Sequence, residues 1–114
     1  VLILETSDRG VITSGDYERY FIKDGIRYHH IFDARLGKPA RSGVMSATIV
    51  TDRSIDGDAL STAVFVLGPE KGLDLVEELP GVEAVVVTED KKVYVTEGIA
   101  GNIQITNEEY SLQP

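Results

Sequence analysis

Asp24 and Gly25 are all that separates two runs of β-forming residues, 17–23 (YERYFIK) and 26–33 (IRYHHIFD). An Asp-Gly pair so placed supplies the positive φ that both central residues of a type I′ turn require. It is the strongest short-range signal for a two-residue hairpin. The loop also sets the register. Lys23 faces Ile26, Phe21 faces Tyr28, Arg19 faces His30 and Tyr17 faces Phe32, all on one side of the ribbon. Tyr20–His29 and Glu18–Ile31 share the other side, because side chains alternate along a strand. A chain with this segment is committed to antiparallel pairing there.

The remaining punctuation agrees. Residues 1–4 are a short apolar run that reads as a strand, and residues 10–13 read as another, closed by Ser14-Gly15-Asp16. Residues 34–43 carry Gly37, Pro39 and Gly43 and read as loop; residues 44–51 read as strand. The run 58–67 (DALSTAVFVL) suits helix or strand, with Ala59, Leu60 and Ala63 favouring helix and Gly68-Pro69 stopping it. In 70–79, Leu73, Val76 and Leu79 recur every three residues among polar neighbours, which predicts a second helix ended by Pro80-Gly81. Residues 82–88 and 92–96 form a second hairpin, and 99–106, with Gly101 inside, a weaker strand. The helical signal sits in one block instead of alternating with single strands. The expected fold is therefore α+β: a mainly antiparallel sheet built from hairpins, with two helices packed on it. Residues 1–114 are expected to make a single domain.

Composition narrows the function. Hydrophobic residues are 42% and charged residues 26%, which is ordinary for a globular chain and not for a disordered one. Eleven Lys and Arg against nineteen Asp and Glu give a net charge of −8, with no basic run, so nucleic acid is not expected as a partner. No cysteine is present, which excludes disulfides and thiolate zinc sites. No apolar stretch approaches the ~20 residues of a membrane-spanning helix. Val1 is not an initiator Met and no signal-peptide pattern follows, so the chain reads as processed or cut from something longer.

Three places can carry chemistry. In the 58–67 run, Leu60, Ala63, Val64 and Leu67 share one helical face, and Asp58, Ser61, Thr62 and Phe65 the opposite one. Asp58 reads equally as a helix N-cap and as a ligand, since Ser54 and Asp56 compete for the cap and would free it. An Asp with a Thr hydroxyl one turn later offers hard oxygen donors, suited to Mg²⁺ and not zinc. In the first hairpin, His30 stands opposite a cation among aromatic residues; both influences favour neutral imidazole, a possible base, with an ordinary sheet residue as the alternative. His29 reads as a sheet residue. Ser14-Gly15-Asp16 reads as a plain turn, or as a glycine admitting a ligand close to the backbone. A Ser14–His30–Asp33 or Ser14–His30–Asp58 hydrolase lacks the strained Gly-x-Ser-x-Gly elbow.

Three segments in order and spacing carry a resemblance: Ser14-Gly15-Asp16-Tyr17-Glu18-Arg19-Tyr20-Phe21, then Tyr28-His29-His30-Ile31-Phe32-Asp33-Ala34-Arg35-Leu36-Gly37-Lys38-Pro39, then Gly57-Asp58-Ala59-Leu60-Ser61-Thr62-Ala63-Val64-Phe65-Val66-Leu67-Gly68. Together they resemble the carboxyl-terminal portion of the FAD:protein FMN transferases, the ApbE family, once labelled thiamine-biosynthesis lipoproteins. The pattern departs where Ala34 and Leu36 replace the usual Pro and Thr, where Phe32 replaces Ile, and where Gly57 replaces Ala.

The resemblance implies a transferase dependent on Mg²⁺, with FAD as substrate. FMN would be moved to a Thr or Ser hydroxyl of a target protein and AMP released. It implies His30 as the catalytic base or substrate orienter, Phe32, Ser14 and Gly15 as flavin contacts, and Asp58, the Ser61 main-chain carbonyl and Thr62 as metal ligands. FAD and a flavin-acceptor protein are the implied partners. Alternatives are a relative that hydrolyses FAD, or a truncated, non-catalytic remnant serving as a flavin-binding, metal-binding or interaction module. The full-length relative would be a membrane-associated lipoprotein of the cell envelope, on the extracytoplasmic face, with this portion itself soluble. Family members are much longer, so the isolated 114 residues are expected to be inactive alone. An apolar face left by a missing amino-terminal half is expected to be covered by that half or by self-association.

Overall fold

The computed structural model describes residues 2–6, 9–15, 18–31, 43–51 and 56–113. Among the described residues, nine strands, two α-helices and a 3₁₀ segment follow one another as β1 (Leu2–Thr6), β2 (Gly10–Gly15), β3 (Glu18–Lys23), β4 (Ile26–Ile31), β5 (Val44–Thr51), α1 (Gly57–Leu67), α2 (Pro69–Glu77), β6 (Val82–Thr88), β7 (Lys92–Val95), the 3₁₀ segment Glu97–Asn102, β8 (Ile103–Ile105) and β9 (Ser111–Leu112). The expected α+β class holds.

The strands form two sheets, ordered β3-β4-β1-β8 and β2-β5-β6-β7-β9. Among the described residues every pairing is antiparallel except the short parallel contact of β7 with β9. The first hairpin has the register set by its loop, with Lys23 opposite Ile26, Phe21 opposite Tyr28, Tyr20 opposite His29 and Arg19 opposite His30. Asp24 and Gly25 take φ of 55° and 79°, the two positive values of a type I′ turn. The expected pairing of Tyr17 with Phe32 lies outside the described residues.

The five-stranded sheet is the middle layer. Along β6, Val85 and Val87 join Leu2, Leu4 and Ile31 of the other sheet in one core. The alternate residues Val82, Ala84 and Val86 join Ala47 and Ile49 of β5 and Val64 and Val76 of the helices in a second core. Strands covered on both faces lose their polar alternation: β6 is apolar apart from Glu83 and Thr88, and β5 admits only the small hydroxyl residues Ser46, Thr48 and Thr51 among its apolar ones. Each fully buried Val or Ile there contributes about 1.5–3 kcal/mol relative to exposure.

The helices follow directly on each other. Gly68 ends α1, its N–H bonded to the Val64 carbonyl at 3.1 Å, and Pro69 opens α2, where a missing N–H costs nothing. Two expectations need correction. The stretch from Glu97 to Asn102 is a 3₁₀ segment and only Ile103–Ile105 is strand, so the expected strand over 99–106 keeps its second half alone. The buried stripe of α1 is Gly57, Ser61 and Val64, with Leu60 and Phe65 partly covered, while Leu67 is exposed. The helix is apolar nearly all round, so periodicity alone did not choose its inward face.

Candidate functional site

The amino-terminal turn of α1 lies against β2. Asp56, not Asp58, caps the helix: its carboxylate accepts from the Ala59 amide at 3.1 Å. Asp58, one position into the helix, is thereby released from capping and exposed. Thr62, one turn on, is also exposed, whereas Ser61 is fully buried. An i, i+4 pair lies on one face of a helix, so the carboxylate and the Thr hydroxyl are neighbours on the solvent side.

A short hydroxyl relay ties this turn to the sheet. Ser61 Oγ donates to the Asp58 carbonyl at 3.1 Å, and Ser14 Oγ lies 2.7 Å from Ser61 Oγ and 3.5 Å from Thr62 Oγ1. A hydroxyl has one proton. With Ser61 spending its own on Asp58, Ser14 must donate to Ser61 and can only accept from Thr62. Ser14 sits opposite Ala47 of β5, on the sheet face that carries the helices. The sequence singled out Ser14 and Ser61 separately; nothing in their spacing, 47 residues apart, announced that they touch.

Gly15 is the last residue of β2, with φ of 92°, so Ser14-Gly15 continues the strand where a closing turn was expected. A Cβ here would stand 2.2 Å from the Met45 carbonyl oxygen and 2.6 Å from the Phe65 ring. The space a side chain would need is filled by the protein itself. Gly57 answers a similar crowding: its Cβ would lie 2.6 Å from Ile12 Cγ1.

His30 stands on β4 in the other sheet, between Ile3 of β1 and Arg19 of β3 in register. It is half-buried, on the face opposite to the core-directed His29 and Ile31. Beside it, Phe21 and Tyr28 stack at 5.2 Å between ring centroids. His29 is the structural histidine: it is buried, its Nε2 lies 3.2 Å from Thr6 Oγ1, and the Tyr20 ring is 5.9 Å away. The structure thus gathers Ser14, Gly15, Asp58, Ser61 and Thr62 at the β2–α1 contact and leaves His30 on the neighbouring sheet. Phe32, Asp16, Asp33 and Ser54 lie outside the described residues.

Among the described residues no group of three or more His, Cys, Asp or Glu is placed to hold a metal. Asp58 and Thr62 nevertheless present hard oxygen donors of the kind Mg²⁺ takes, and that ion is held by few protein carboxylates together with substrate phosphates. The donor set fits such an ion. Among the described residues no helix is long and apolar enough to cross a membrane.

Comparison with known proteins matches the chain to a family. A family model described as the ApbE family matches residues 1–86. The chain is 45% identical over 112 residues to the FAD:protein FMN transferase of Treponema pallidum, covering 98% of this chain and 31% of that protein. It is 39% identical over 93 residues to a FAD:protein FMN transferase of Klebsiella pneumoniae, covering 82% of this chain and 29% of the relative. A crystal structure of the ApbE protein from Thermotoga maritima superposes with a TM-score of 0.50 at 44% identity, over 81% of this chain and 30% of that one. The chain spans less than a third of the length of these relatives. On the family match, the identity and the shared fold, the chain belongs to the ApbE family.

Proposed function

We propose that these 114 residues form a single domain, the carboxyl-terminal portion of a flavin transferase that moves FMN from FAD to a Thr or Ser hydroxyl of a target protein and releases AMP. The observation that carries the reading is the pair Asp58 and Thr62, exposed one turn apart on a helix that Asp56 already caps, in a chain 45% identical to a FAD:protein FMN transferase. A carboxylate in the first turn of a helix, not needed as its cap, is available for a ligand.

Asp58, Thr62 and the Ser61 main-chain carbonyl would hold Mg²⁺. The ion, when bound, supplies neutralisation of diphosphate charge. In the transfer, the acceptor hydroxyl oxygen bonds to the FMN phosphorus and the bond from that phosphorus to the bridging oxygen breaks. AMP leaves with the bridging oxygen, and the hydroxyl proton passes to a base. The family resemblance alone assigns that role to His30, which stands on the face of β4 turned away from the core and which the described residues do not bring to Asp58. Ser14 supports the site by holding Ser61 and Thr62 in place, Gly15 lets Phe65 lie against β2, and Phe32 contributes a flavin contact. The same reading puts the full-length protein at the extracytoplasmic face of the cell envelope, as a membrane-associated lipoprotein.

The test uses the full natural polypeptide that carries these residues, with FAD, Mg²⁺ and a Thr-bearing target. Asp58→Ala and Asp58→Asn should both abolish flavin transfer while leaving melting within about 0.5 kcal/mol of the parent, because Asp58 caps nothing. Thr62→Val should raise the Mg²⁺ requirement. His30→Asn should slow turnover about 10²–10⁴-fold as a general base would. Full transfer by Asp58→Asn would overturn the metal assignment. FMN and AMP appearing with no labelled target would make the protein a FAD hydrolase instead.

A further inference from the structure

At the far end of the five-stranded sheet from Ser14, a groove runs between α2 and β7. One cavity of about 540 Å³ has Pro69, Leu73, Tyr94 and Val95 as its apolar lining, with Glu70, Asp74, Glu77 and Glu97 as its polar lining. Glu70, Asp74 and Glu77 fall at i, i+4 and i+7, so they form one stripe along the helix. A second cavity, of about 480 Å³, shares Glu77 and Glu97 with the first and adds Glu83. The two cavities adjoin at Glu77 and Glu97, and among the described residues no Lys or Arg lines either.

The five carboxylates do not converge. Among the described residues no three acidic groups are placed around a common ion, so a lone divalent cation is a poor match. Charges strung along a trough over an apolar floor instead match cationic side chains spaced along a polypeptide. The Tyr94 ring adds a face to which a Lys or Arg can be attracted. Nucleic acid and anionic lipid are repelled by the rim. A second copy of this acidic chain is disfavoured as the occupant of this groove for the same reason.

We infer that the α2–β7 groove docks a basic segment of a partner protein, with apolar side chains on Leu73 and Tyr94 and Lys or Arg side chains against Glu70, Asp74, Glu77 and Glu97. The inference is independent of the transferase reading, since the groove shares no residue with the β2–α1 contact.

The probe is a labelled peptide alternating Lys and Leu, with the same peptide carrying Glu for Lys as control, titrated against the full natural polypeptide by fluorescence anisotropy. The Lys peptide should bind and the Glu peptide should not. Binding should weaken about tenfold or more in the triple variant Glu70→Gln, Asp74→Asn, Glu97→Gln, as rim charges do in complementary interfaces. A second triple, Glu5→Gln, Asp24→Asn, Glu108→Gln, makes the same change in net charge away from the groove and should bind as the parent does. Leu73→Ala should also weaken binding, because the floor is part of the site. Equal loss in both triples would reduce the effect to net charge and overturn the inference. So would no binding of the Lys peptide, full binding in Leu73→Ala, or sedimentation showing the groove filled by a second copy in a dimer that the groove triple dissociates.

Discussion

Gly15 shows how one residue can have a role that its local sequence cannot disclose. Ser-Gly-Asp is turn-like composition, and a turn is the natural reading. The decisive facts are long-range: the Met45 carbonyl and the Phe65 ring occupy the Cβ position. Gly15→Ala should therefore cost about 1–3 kcal/mol from overpacking, and more from a φ that L-residues seldom adopt. Thermal melting checks it; an unchanged midpoint would mean that α1 can shift freely on β2. Asp58 was more legible. The competing cap at Asp56 is visible in the sequence, and the helix does begin there. The hydroxyl relay through Ser14 was not visible, because only tertiary packing brings residues 14 and 61 together.

Among the elements, those with strong local rules were read from sequence and those decided by packing were not. Asp24-Gly25 fixed a hairpin and its register, and 44–51 and 82–88 were delimited by their flanking turns. The inward face of α1 was lost because apolar residues surround it. The 3₁₀ segment was missed because its apolar Ile99 and Ala100 do not distinguish a tight helix from a strand. The β6–β7 turn has a pH signature. Thr88 donates to Asp90, and Lys92 lies 3.7 Å from the same carboxylate; both hold its pKa below the usual 3.8. A carboxyl depressed on folding stabilises the folded state above its unfolded pKa, and that contribution is lost as pH falls through the folded value. Asp90→Asn should thus lower stability at neutral pH, and the gap from the parent should close below the folded pKa. Denaturant titrations at several pH values measure it; a gap independent of pH would assign the loss to the turn backbone.

On the scale of the whole molecule, among the described residues the four-stranded sheet ends at β3. Tyr20, Phe21 and Ile22 follow one another along that edge at 60%, 47% and 61% exposure. An exposed apolar edge strand invites pairing with another strand. The 114 residues in isolation should therefore associate as concentration rises, and Ile22→Lys should shift sedimentation toward monomer with little change in melting. Association unaffected by that substitution would place the contact elsewhere. The middle layer bears on dynamics. An amide on a strand walled in on both sides can meet a water molecule only when the whole structure comes apart. In deuterium exchange, the amides of β5 and β6 should therefore be the last to exchange, with opening energies equal to the global one, whereas β8 and β9 should exchange through local fraying. The protein's slowest clock would then be two adjacent strands, separated in the chain by both helices.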